Sequence, residues 1–158
     1  EACWHFIGHL QSNKARFAVQ YFDLIHNLDK IKLAKEIDKQ AQKINKRQKI
    51  LLQVNIAEED TKSGADAGDV VDLALAVTEF EHLNLQGLMC MPPYFDDPEA
   101  ARPYFRHLAQ IREKILHAGV DAEAVRHLSM GMSHDFAAAI QEGATLVRVG
   151  TAIFGSRS

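Results

Sequence analysis

Two short segments near the carboxyl end hold residue types that bind phosphorylated ligands. Leu128-Ser129-Met130-Gly131-Met132-Ser133 and Arg148-Val149-Gly150-Thr151 each read as a short apolar strand running into a glycine and a hydroxyl residue. Two adjacent strand ends of that kind can present several backbone N–H groups to one phosphate. Taken alone, Gly131-Met132-Ser133 reads most simply as a tight turn with Ser133 capping the next helix. Gly150-Thr151 alone is no stronger, so it is the pair on consecutive strands that points to an anion. Arg148 is the more unusual residue, because a permanent cation inside an apolar run needs acceptors. A carboxylate on a neighbouring strand or a ligand atom would serve. Strand alternation puts Arg148 and Gly150 on one face and Val147, Val149 and Thr151 on the other.

The elements that must position these residues recur along the whole chain. Apolar runs at 4–8, 22–27, 50–56, 85–91, 127–131 and 145–150 read as strands, separated by stretches of helical period. Ser12 is placed to cap a first helix, and Asp29 a second with Ile31, Ala34, Ile37, Ala41 and Ile44 on its buried stripe. A third helix follows Asp66. A fourth starts at Asp97-Pro98 and runs to Gly119, and Ser133 opens a fifth that Gly143 ends. Alternating strands and helices imply βαβ units and a parallel sheet, in an α/β fold. The rhythm alone does not separate an open doubly wound sheet from a barrel. In both, ligands sit at the carboxyl ends of the strands.

Bulk properties exclude several functions. With 158 residues the chain has the length of one domain, 1–158, and no linker interrupts it. A formal net charge of −3 gives no electrostatic case for nucleic acid or a membrane surface. No apolar run approaches the roughly 18 residues of a membrane span, and no signal-peptide pattern is present. Cys3 and Cys90 form no CxxC pair and read as reduced thiols, which implies a cytoplasmic protein. His5 and His9 have helical spacing but fall in a strand and its loop, so no metal site is expected. The basic stretch from Lys30 to Lys49 reads as a solvated helix face.

On five segments the chain resembles the pyridoxal phosphate homeostasis proteins, the YggS or PROSC family. They are His5-Phe6-Ile7-Gly8-His9-Leu10-Gln11-Ser12-Asn13-Lys14, Asn55-Ile56 with Lys62-Ser63-Gly64, Gly87-Leu88-Met89, the stretch from Leu128 to Ser133 and the stretch from Val147 to Gly155. The resemblance implies a (β/α)8 TIM barrel of the alanine racemase N-terminal-domain type, binding pyridoxal 5′-phosphate (PLP) without catalytic turnover. It implies a role in vitamin B6 and amino-acid balance and a monomeric full-length protein. Ser129, Gly131, Met132, Ser133, Gly150 and Thr151 would form the cofactor site with Arg148. The Ser133 turn, Gly150 and Thr151 would hold the phosphate, and Arg148 would face the pyridine nitrogen.

The sequence departs from that family at its start. Family members carry a Schiff-base lysine on the first strand, in a segment like AVSKTKP, and a GENY-like second strand. Neither is in this chain, which opens without Met at what would be the third strand. The expectation is therefore about six of eight strands, no catalytic lysine, and two open edges through which the polypeptide alone would associate. Lys14 and Lys62 are the candidates for a substitute amine, and both read more simply as solvated loop lysines. The alternatives are a racemase- or decarboxylase-like barrel, and a fragment without ligand function.

Overall fold

The computed structural model describes residues 2–57 and 63–155. Its strands are β1 (His5–Phe6), β2 (Leu24–Leu28), β3 (Gln48–Asn55), β4 (Ala65–Asp66), β5 (Leu83–Cys90), β6 (His127–Met132) and β7 (Leu146–Arg148). Every pairing is parallel. The helices α1 (Ala15–Tyr21), α2 (Ile31–Lys43), α3 (Val70–Thr78), α4 (Arg102–His117), α5 (Phe136–Gln141) and α6 (Thr151–Phe154) alternate with them. All six expected strands form. β4 was invisible to periodicity, because it is two residues that pair with the end of β3.

Strand order settles what rhythm could not. The sheet runs β1-β2-β3-β5-β6-β7, in chain succession, whereas a doubly wound sheet reverses at a switch point. The sheet also curls strongly. His26 on β2 and Ser129 on β6 are three strand spacings apart, about 14 Å in a flat sheet. Their side chains nevertheless meet at 3.0 Å. The result is an incomplete barrel, open between β1 and β7.

The convex face carries the main core. Ile50, Leu52 and Val54 of β3 and Leu88 of β5 pack under Leu33 and Ile37 of α2 and Phe105, Leu108, Ile111 and Ile115 of α4. The α4 residues recur at three- and four-residue steps, which defines one buried helix face. On the concave face the apolar cluster is small, Leu24, Leu51 and Met89 with Leu146 against it. Buried polar residues, among them His26, Gln53, Ser129 and Arg148, occupy the rest. Gly87 has φ +154°, and a Cβ there would overlap the His127 carbonyl, so only glycine lets β6 approach β5 this closely.

Local signals were less uniform. Asp97 caps as expected, its Oδ1 accepting from Glu99 N at 3.0 Å with Pro98 in the first turn. Ser12 instead begins a 3-10 turn (Ser12–Lys14), and the residue before α2 is Lys30, without a side-chain cap, so Asp29 does not serve. Ile31 and Ile44 lie exposed at the ends of α2, and Leu33 takes the buried position. α3 begins at Val70, a turn beyond Asp66. No helix among the described residues is long and apolar enough to cross a membrane.

Candidate functional site

β6 and β7 are hydrogen-bonded neighbours, with Met132 registered against Arg148. This brings the two motif segments together. Arg148 projects onto the concave face and is only 8% exposed. One terminal nitrogen donates to Ser129 Oγ at 2.7 Å, and the other to the Cys90 carbonyl at 2.8 Å. Neither partner is a carboxylate, so a core ion pair does not account for this arginine. Its Nε–H is buried and has no acceptor among the described residues. Burial pushes the guanidinium pKa down, but an arginine keeps its charge in a protein. The same burial pushes the Cys90 thiol up to about 12, which leaves it an inert neutral group.

The phosphate-type residues lie just beyond Arg148, in a different local structure from the one expected. β7 stops at Arg148, Gly150 precedes α6, and Thr151 is the first residue of that short helix. The strand-face argument therefore ends at Arg148, and Gly150 and Thr151 belong to a turn. Ser133 does not cap α5. The residue before α5 is Asp135, whose Oδ1 accepts from Met132 N at 2.7 Å. Ser133 Oγ instead accepts from Gly150 N at 2.9 Å and Ala152 N at 3.2 Å. Those two N–H groups already point at one oxygen atom, the arrangement a phosphate oxygen requires.

The glycines differ in their reasons. Gly131 has φ +94°, and a Cβ there would press on Ala139 Cβ and Phe136 Cα, so it lets α5 dock on the end of β6. A Cβ on Gly150 would meet nothing within 4 Å. Packing among the described residues therefore gives no reason for glycine at 150, and the backbone there is open to close approach.

Sequence reasoning missed the polar row that continues across the concave face. His26 Nδ1 lies 3.0 Å from Ser129 Oγ, and its Nε2 lies 3.1 Å from His5 Nδ1. Nearer the strand ends, Asn27 accepts from Gly8 N and donates to Gln53, which donates to the Ser63 carbonyl. Burial, then the positive charges of His5, Arg148 and His127, lower the His26 pKa to about 3. A usable signal was present in the chain, since His26 and Asn27 interrupt the apolar run of β2 and Gln53 that of Ile50–Val54 in β3. Lys14 is an exposed residue 5.9 Å from the Phe17 ring, and Lys62 lies outside the described residues.

A parallel sheet ordered as a barrel, with a buried arginine and the Ser133–Gly150 turn at its strand ends, defines the class. The chain belongs to the alanine racemase N-terminal domain family, whose model matches residues 1–158. Curated relatives are named pyridoxal phosphate homeostasis protein. That of Aquifex aeolicus (strain VF5) is 46% identical over 154 residues, covering 98% of this chain and 67% of the relative. That of Escherichia coli (strain K12) is 39% identical over 158 residues, covering 98% and 64%. The chain thus spans about two thirds of the length of these relatives. The solved structure of PipY from Synechococcus elongatus PCC7942 with PLP bound superposes with a TM-score of 0.87 at 33% identity, over 97% of this chain and 70% of that one. Alanine racemase of Clostridium difficile 630 shares the fold, with a TM-score of 0.70 at 17% identity.

Proposed function

We propose that this protein binds PLP at the strand ends of β6 and β7 and serves in PLP homeostasis as a carrier without catalytic turnover. The observation that carries this reading is Arg148. It is a buried cation with no carboxylate partner among the described residues, and its remaining Nε–H lacks an acceptor among them. A pyridine nitrogen is an acceptor of the right kind for that donor. The Ser133 hydroxyl and the Gly150 and Ala152 N–H groups, with Gly131, Met132 and Thr151 shaping the turn, would hold the phosphate. The naming of the relatives as pyridoxal phosphate homeostasis proteins and the PLP bound in PipY support the same ligand.

Bound PLP supplies an aldehyde that condenses with amines and a ring that withdraws electrons once its nitrogen is protonated. Arg148 acts against the second property. A permanent cation donating a hydrogen bond to the ring nitrogen disfavours a proton there. The pocket therefore suits holding and handing over PLP better than broad amino-acid chemistry, and the racemase alternative gains no support from it. The test is the absorption spectrum of PLP bound to the full-length protein and to its Arg148→Gln variant. The variant is expected to shift the ring toward its protonated form. Superimposable spectra would count against the contact.

A further inference from the structure

Arg148 does not hold its orientation alone. It cannot accept a hydrogen bond, so its donation to Ser129 Oγ at 2.7 Å runs in one direction only. Ser129 is fully buried, and its own hydroxyl proton therefore needs an acceptor. The acceptor within reach among the described residues is His26 Nδ1, at 3.0 Å. That leaves the proton of a neutral His26 on Nε2, which donates to His5 Nδ1 at 3.1 Å. Four residues on β7, β6, β2 and β1 thus form a chain whose every donor is dictated by the arginine at its head.

Charge keeps the chain in this state. Among the described residues the groups facing His26 are His5 on β1, Ser129 and His127 on β6 and Arg148 on β7, and none of these is acidic. A second proton on His26 would put two donors on Ser129 Oγ and leave the hydroxyl proton unpaired. It would also add a cation beside Arg148.

We infer that His26 is a positioning residue for the ring-nitrogen end of the pocket. As the neutral Nε2–H tautomer it accepts from Ser129, and Ser129 in turn fixes the Arg148 guanidinium so that Nε faces the ligand. His26 touches no ligand itself. This inference rests on the PLP reading of the site, and it deepens that reading by naming what sets ligand discrimination there.

Two measurements test it. In the ligand-free full-length protein labelled with 15N-histidine, NMR is expected to show His26 with Nδ1 bare and Nε2 protonated. An Nδ1–H tautomer would overturn the relay. The second measurement compares affinity for PLP with affinity for its 1-deaza analogue, in which C–H replaces the ring nitrogen. The unsubstituted protein is expected to prefer PLP by about tenfold or more, the scale of one hydrogen bond from a charged donor. His26→Leu is expected to bring that preference to near unity while leaving the analogue's affinity in place. His26→Asn, whose carboxamide can accept where Nδ1 did, is expected to restore the preference.

Equal losses for both ligands in His26→Leu would make His26 a structural residue and overturn the inference, as would a preference that survives the leucine. An unsubstituted protein that shows no preference would instead remove the PLP reading of Arg148. The two failures are therefore distinguishable.

Discussion

Along β3, Ile50, Leu52 and Val54 face the helices while Leu51, Gln53 and Asn55 face the hollow of the sheet, so one strand serves two environments. On the helix side, contacts are apolar and every large side chain is covered by another. On the hollow side, Arg148, Ser129, His26 and His5 are joined head to tail by directional hydrogen bonds. The first face draws its stability from area removed from water. The second satisfies groups that would otherwise be penalised by burial, and its net contribution to folding is small.

The strongest way to break that comparison is to damage each face in turn. Phe105 is wholly buried in the first turn of α4, and Phe105→Ala is expected to cost about 3–5 kcal/mol, since a cavity that size collapses only in part. Arg148→Met exchanges a buried cation for an apolar chain of similar length. It is expected to change stability by less than about 2 kcal/mol in either direction. Denaturant midpoints at constant m-value measure both. A loss in Arg148→Met as large as that in Phe105→Ala would show that the hollow face is a stabilising core after all.

The same division explains what the chain disclosed in advance. Strands and helices were legible because the helix-covered face repeats, with Phe105, Leu108, Ile111 and Ile115 in α4 and the largely apolar runs of β3 and β5. Arg148 was legible as a misfit in such a run. The relay behind it was not, because His26 and Ser129 lie 103 positions apart and meet only when the sheet curls. The partner of Ser133 was misread for a related reason. A serine before a helix is ordinarily a cap, and only the neighbouring turn at Gly150 offers its hydroxyl a different set of donors. Caps at Ser12 and Asp29 failed by one residue each, since Ser12 already lies inside its 3-10 turn and α2 starts after Lys30.

A smaller effect separates the two faces by pH. His26 has a folded pKa of about 3 against an ordinary 6.5, so the fold holds it neutral. Its contribution is complete above the ordinary value and is lost as pH falls from 6.5 toward 3, because the unfolded chain binds the proton first. The slope from this one group is at most about 1.4 kcal/mol per pH unit. Stability curves of the unsubstituted protein and His26→Asn should diverge across that interval and run parallel above it. Phe105→Ala should shift the curve without changing its slope. Parallel curves for His26→Asn throughout would mean that the imidazole is not held neutral.

The smallest effect on folding is expected at Ser133, and there the comparison is sharpest. Its hydroxyl accepts two N–H groups at the rim of the hollow, where water can replace it once it is gone. Ser133→Ala should therefore cost no more than about 1 kcal/mol. Yet the same oxygen marks where the proposed phosphate would be gripped, so affinity for PLP should fall several-fold while affinity for pyridoxal, which lacks the phosphate, stays level. A stability loss as large as that of Phe105→Ala would move Ser133 into the structural core. Equal losses for PLP and pyridoxal would detach the Ser133–Gly150 turn from the phosphate and leave Arg148 as the only part of the site with a ligand to face.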